Sequence, residues 1–173
     1  WQLHGAKMVV HGGDAANLFL ISARTSGNSG DREGISLFAV PREQVAANLR
    51  GYSLYDGSGA CELFLDGLVV PADALVGPEG RALDAIETAY DRGAAAVSIQ
   101  AVGAMKRLRD LTLDYIKTRR QFGQPLGSFQ VLQHRMVDLH MAVEIAESMD
   151  LSAVIAIATG PQDRKAKVSA ATA

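Results

Sequence analysis

Lys117-Thr118-Arg119-Arg120-Gln121-Phe122-Gly123-Gln124-Pro125-Leu126, with Ser128-Phe129-Gln130 behind it, is the stretch whose residue types could do chemistry together. An aromatic ring at Phe122 between Arg119 and Gln124 offers a flat apolar face beside a charge suited to phosphate, a pairing that a dinucleotide cofactor needs. The same residues also suit a plain helix–loop–helix corner. Arg119 and Arg120 then offset the partial charge of a helix C-terminus, Gly123 and Pro125 stop that helix, and Phe129 is core. Asp91-Arg92 carries two readings as well: an intrahelical charge pair on a wet face, or a ligand clamp at the mouth of a cleft. Residue types alone leave both pairs of readings open.

Other chemistries are poorly supported. His4, His11, His134 and His140 are scattered, and His134 and His140 stand six apart rather than three or four, so no metal site is expected. Gly57-Ser58-Gly59 and Gly77-Pro78-Glu79-Gly80 lack the strand-to-helix context of a phosphate loop, and no nucleophile elbow is present. The 17 basic and 19 acidic residues give a formal charge of −2, which advertises neither a nucleic-acid partner nor an anionic membrane. No apolar run approaches the ~18 residues of a spanning helix. A single cysteine, Cys61, excludes an internal disulfide and fits a reduced, cytoplasmic setting. The chain opens on Trp1 and closes within a helical pattern, as a piece of a longer protein would.

The elements that must position these residues fall into two textures. Residues 1–77 are short apolar runs broken by Gly, Asp, Ser and Asn, which predicts strands at Lys7–His11, Leu18–Ala23, Ile35–Pro41, Leu49–Leu54 and Cys61–Pro71. Thr25–Gly34 has no apolar side chain to bury and reads as an exposed hairpin loop. Without helical crossovers the strands must pair antiparallel, as a meander or part of a barrel or sandwich. Residues 78–173 turn helical. Leu83, Ile86, Tyr90, Ala94, Val97, Ala101, Met105, Leu108, Leu111 and Tyr115 step by three or four, the pattern of one long helix. A second helix starts near Ser128 as N-cap and points Phe129, Leu132, Met136, Leu139, Val143 and Ala146 inward. Gly160-Pro161 stops it, and a third begins at about Asp163. The fold class is therefore α+β: a partial antiparallel β-barrel or sandwich domain, then a partial helical bundle that needs partner helices.

The strings Gly5-Ala6-Lys7-Met8, Ala23-Arg24-Thr25, Gly34-Ile35-Ser36-Leu37-Phe38-Ala39-Val40, Glu62-Leu63-Phe64-Leu65-Asp66 and Val69-Val70-Pro71-Ala72-Asp73 resemble the later strands of the middle domain of acyl-CoA dehydrogenases. Gly103, Tyr115, Arg119, Phe122, Gly123, Phe129 and Gln130 are similar to the start of that family's C-terminal helical domain. Within the family, the chain resembles the small-subunit type of bacterial dehydrogenase for pimeloyl-CoA.

The resemblance implies FAD as cofactor, an acyl-CoA substrate, an acceptor like electron-transfer flavoprotein, and a homodimer or homotetramer, a hetero-oligomer being the other form. It implies α,β-dehydrogenation, in which a carboxylate takes the α-proton while hydride passes to the flavin. Acyl-CoA oxidases, flavin monooxygenases and a non-catalytic subunit of a hetero-oligomeric dehydrogenase share the resemblance as alternatives. Arg119 and Phe122 would contact the FAD of a neighbouring subunit, and Phe129 and Gln130 match a further FAD-contacting pair. Val9, Val10 and His11 occupy the flavin-flanking segment, where the family's usual Trp and Thr are replaced. Asp91 matches a substrate-site acid; the Arg usual three residues later is Ala94, with Arg92 as its candidate substitute. No residue of the chain matches the catalytic base, whose alternative place on the long helix is Gly93.

Overall fold

The computed structural model describes residues 1–160 and 163–173, so Pro161, half of the expected stop after the second long helix, lies outside the described residues. By compactness the chain divides into Trp1–Ile86 and Glu87–Ala173.

The first unit holds strands β1 (Gln2–Leu3), β2 (Ala6–His11), β3 (Leu18–Arg24), β4 (Ile35–Pro41), β5 (Leu49–Ser53), β6 (Gly59–Phe64), β7 (Leu68–Val69) and β8 (Leu75–Val76), with a short helix α1 (Arg42–Val45). They form two open three-stranded antiparallel sheets, ordered β2-β6-β5 and β3-β4-β8, and a small β1-β7 pair. Of the barrel and sandwich forms, the open sandwich is the one adopted. Its strands alternate: Phe19 and Ile21 of β3, Phe38 and Val40 of β4, and Cys61 and Leu63 of β6 bury their side chains in one core with Leu3, Val45, Leu65 and Val70. Trp1 packs edge-on against Phe38 at 5.4 Å. Burial also pushes the Cys61 thiol up from its ordinary range.

The expected strand Cys61–Pro71 is in fact two. The chain turns after Phe64, Gly67 takes a positive φ of 74° in the turn, and β7 leaves to pair with β1. The Thr25–Gly34 loop is exposed as expected, and one side chain organises it. Arg24 Nη1 donates to the carbonyls of Ser26 and Glu33 at 3.2 and 2.8 Å, and Nη2 to that of Asp31 at 2.8 Å.

The second unit is helical. Helix α2 (Leu83–Thr118) begins in the first unit and supplies most of its length to the second; α3 (Gln130–Thr159) and α4 (Arg164–Ala171) complete it. On α3 the expected inward residues are those turned from solvent, from Phe129 through Val143 to Ala146, and the same line continues into Asp150, Ala153 and Ala156. The expected long helix is α2, and its periodic apolar residues are not its shielded ones. Its shielded line is Asp91, Ala95, Val102 and Ile116, whereas Tyr90, Val97, Leu108, Leu111 and Tyr115 are exposed. The apolar period marks a second face, beside the one shielded among the described residues.

Phe38 has no solvent exposure and sits at the centre of the sandwich. Phe38→Ala is expected to cost on the order of 3–5 kcal/mol. Urea unfolding monitored by Trp1 fluorescence measures it, since Trp1 packs on that ring.

Candidate functional site: an aromatic hairpin and a strained strand bulge

Between α2 and α3 the chain does more than turn a corner. Strands β9 (Arg120–Gln121) and β10 (Gln124–Pro125) pair antiparallel, so Phe122 and Gly123 form a two-residue hairpin loop. Both loop residues have positive φ, 53° and 79°, the combination that matches strand twist in such tight hairpins and that Asn or Gly usually supplies. A phenylalanine there is strained by about 1–3 kcal/mol. The ring gains little burial in return: Phe122 is 89% exposed and touches Phe129 edge-on at 6.2 Å.

Hydrogen bonds brace the rest of the corner. Arg119 N donates to the Tyr115 carbonyl and Leu126 N to the Arg119 carbonyl, both at 2.8 Å. Arg120 Nη2 donates to the Gly123 carbonyl at 3.0 Å, bracing the loop from inside. The Arg119 guanidinium is exposed and makes no hydrogen bond or ion pair among the described residues. A turn of 3₁₀ helix, Leu126–Ser128, precedes α3, so the N-cap is Phe129 and not the expected Ser128. No side chain caps the helix, and Gln130, its first residue, is exposed. The structure thus gathers Arg119, Phe122, Phe129 and Gln130 on one braced corner.

Val9, Val10 and His11 lie on β2 in the other unit. The β2–β6 register shifts between Lys7 and Val10, and Val9 has a φ of 52°. A β-branched residue in that region is a genuine outlier, held here by a bulge that re-aims the strand. Beside it runs a cleft of about 360 Å³, lined by Met8, Val9 and Val10 of β2 and by Phe19 and Ile21 of β3. Lys7 Nζ donates across to Ser22 Oγ at 3.1 Å, and burial lowers the Lys7 ammonium from its ordinary value. Backbone strain therefore occurs at two non-glycine positions among the described residues, Val9 and Phe122.

Asp91 and Arg92 part company. Arg92 is exposed, whereas Asp91 is buried and its Oδ2 accepts from Arg164 Nε of α4 at 2.7 Å. That pair opens a polar seam along the shielded side of α2. Lys165 bonds Glu87 at 3.2 Å, Ser98 Oγ lies 2.5 Å from Asp150 Oδ1 and 2.9 Å from the Ala171 carbonyl, and Lys106 meets Glu147. Further along, Arg109 Nη1 reaches Glu144 at 3.4 Å and His140 Nδ1 at 3.4 Å, beside a cleft of about 510 Å³ between α2 and α3. His134 and His140 are both exposed. No group of three His, Cys, Asp or Glu side chains that could hold a metal occurs among the described residues.

The model of the family described as "Acyl-CoA dehydrogenase, C-terminal domain" matches residues 80–173, more than half of the chain. The chain belongs to the acyl-CoA dehydrogenase family. A probable acyl-CoA dehydrogenase of Bacillus subtilis, YngJ, is 30% identical over 87% of this chain and 40% of its own length. Among solved structures, butyryl-CoA dehydrogenase from Megasphaera elsdenii superposes with a TM-score of 0.80 at 25% identity, covering 98% of this chain and 46% of that one. An FAD complex of PigA gives 0.84 at 26% identity, covering 99% and 45%. The chain spans less than half the length of each of these proteins. The mixed architecture, strands first and helices after, is that of the acyl-CoA dehydrogenase fold.

Sequence reasoning missed Arg164 as the partner of Asp91 and the entire seam to which they belong. Pairings 73 residues apart leave no local pattern, and Arg164 next to Lys165 reads as ordinary helix surface. Loss of one member of a buried pair leaves an uncompensated charge, so Arg164→Met is expected to cost about 3 kcal/mol. Asp91→Leu combined with Arg164→Met should cost less than Arg164→Met alone. A double-mutant cycle by denaturant unfolding reads the coupling directly.

Proposed function

We propose that the protein of which this chain is part is an FAD-dependent acyl-CoA dehydrogenase that converts an acyl-CoA thioester to its trans-2-enoyl product. Its later middle-domain strands would be the β unit, and the start of its C-terminal domain the helical unit. The observation that carries the reading is Phe122: an exposed ring kept in a strained hairpin loop beside an arginine unengaged among the described residues, a combination that costs stability and gains little burial beyond an edge contact with Phe129. Strain of this kind is held by the structure around it and clusters at ligand sites.

The residues present fit FAD on this chemistry. Arg119 supplies a charge for the pyrophosphate that no protein group among the described residues already neutralises, and Phe122 an apolar face for the cofactor of a neighbouring subunit. Phe129 buttresses Phe122 from below, and Gln130 presents an exposed amide at the same corner. On the β unit, the bulge at Val9 turns the Val9–His11 backbone, so main-chain groups would flank the flavin where the side chains differ from the usual ones. Bound FAD supplies the two-electron acceptor for the substrate's β-hydrogen. Arg92, exposed near the start of α2, would meet acyl-CoA phosphate, while Asp91 holds α4 in place through Arg164 and frames that end of the helix. No proton-abstracting carboxylate is assigned to this chain. A homodimer or homotetramer passing electrons to a flavoprotein acceptor completes the proposal.

Phe122→Gly separates strain from binding. It is expected to raise stability by about 1 kcal/mol, because glycine accepts the positive φ without cost. FAD affinity should fall roughly tenfold with the loss of the ring. The visible spectrum of the purified native protein, its bleaching by acyl-CoA without oxygen, and flavin retention on dilution test both. A native protein that carries no flavin, or a Phe122→Gly variant that keeps it equally well, would count against the assignment.

A further inference from the structure

Strand β2 sits in a register that its own sequence pattern does not prefer. Lys7 pairs with Leu63 and Val10 with Cys61, so Met8 and Val9 together stand opposite the single residue Glu62. Leu63 and Cys61 belong to the core, and cross-strand partners share a face, so Lys7 and Val10 hold the inward positions of β2. Val10 packs there against the core. Lys7 is half-buried, while the apolar Met8 is left 58% exposed and Val9 takes its φ of 52°.

A regular ladder would reverse each of these. With Val10 kept opposite Cys61 and no extra residue, Val9 would face Glu62, Met8 would face Leu63 and Lys7 would face Phe64. Met8 and Val10 then point inward and Lys7, Val9 and His11 outward, the strict alternation of a half-buried strand. Val9 would return to ordinary strand geometry. Gly5, at a φ of 113° with open space around it among the described residues, can absorb the one-residue slip ahead of β2. Pattern and backbone strain thus both favour the regular ladder.

A hydrogen bond opposes them. β2 is an edge strand of the sheet β2-β6-β5, and β3 is an edge strand of β3-β4-β8. From its inward position Lys7 Nζ reaches across to the β3 edge and donates to Ser22 Oγ at 3.1 Å. The four-carbon stem of Lys7 covers the core at the place Met8 vacates, so the bulge forfeits little apolar burial. The bond lies beside the bulge, on the cleft that Val9 also lines. Slipping β2 by one residue would turn Lys7 to the other face and take its amine away from Ser22. We propose that Lys7 is a positioning residue whose bond to Ser22 selects the bulged register of β2 over the regular one. Burial lowers the Lys7 ammonium from its ordinary value, in keeping with an amine drawn from water to make this bond. The register claim stands on geometry alone. Its consequence for chemistry rests on the flavin reading: the bulge directs the Val9–His11 backbone, so a slip would move the main-chain groups that flank the cofactor.

Crystal structures of the native protein and of its Lys7→Thr variant read the register directly. Threonine is a good strand former too short to reach Ser22. Leu63 is therefore expected to pair with Met8 in place of position 7, and Val9 to lose its positive φ. Ser22→Ala removes the acceptor instead and is expected to give the same shift; it decides the question if Lys7→Thr fails to fold. Ser22→Thr keeps the hydroxyl and should keep the bulge. A bulge retained in folded Lys7→Thr or Ser22→Ala protein overturns the proposal. Visible circular dichroism of the bound flavin reads the consequence: the signal should change in the slipped variants and persist in Ser22→Thr. An unchanged signal in a slipped variant, or a native protein without flavin, would count against the flavin reading and leave the register result standing.

Discussion

The geometry of one helix governs most of what this chain can do. A helix in a protein takes most of its stability from the faces it packs, and α2 runs for 36 residues. Helix α2 has two. One is a line of Asp91, Ser98, Lys106 and Arg109 engaged by ion pairs and hydrogen bonds from α3 and α4. The other is apolar and open. The charged face tolerates no sliding, because shifting α4 by one turn would strand the Asp91 carboxylate away from Arg164. Register along the seam is thereby fixed.

The hairpin follows directly on the end of α2. Arg119 continues the helical path through its bond to the Tyr115 carbonyl, and the β9–β10 pair then reverses the chain within six residues. The 3₁₀ turn and Phe129 return it to α3. Braced in this way, the corner can carry a phenylalanine in a backbone region that would otherwise expel it. The bulge at Val9 has the same character in the β unit, where pairing with β6 on either side holds a strained residue in place. Both strained positions fall on segments that the resemblance links to the flavin.

Much of this was legible in the sequence. The β3–β4 hairpin, the inward line of α3 and the beginning of α4 near Asp163 follow from alternation, period and a turn-rich loop. Three features were not. The Phe122–Gly123 hairpin hides because phenylalanine is an improbable residue for its loop, and Gly123 with Pro125 reads as a simple stop. The break after Phe64 hides because Leu65 and Leu68–Val70 continue an apolar run across Gly67. The facing of α2 hides because an apolar period shows that a face is buried in something without saying whether that something is the same chain. Polar partners such as Asp91 and Arg164 meet only in three dimensions, and Asp150, with one carboxylate oxygen buried and unpartnered among the described residues, has no signature at all.

Both strained segments, at Phe122 and at Val9, are proposed to make one kind of ligand contact. Amide hydrogen exchange on the native protein, with and without FAD, measures it residue by residue. Slowed exchange is predicted at Phe122–Gln124 and at Val9–His11 when FAD binds, with the Thr25–Gly34 loop unchanged. FAD bound at full occupancy with both segments exchanging at their unliganded rates would contradict it.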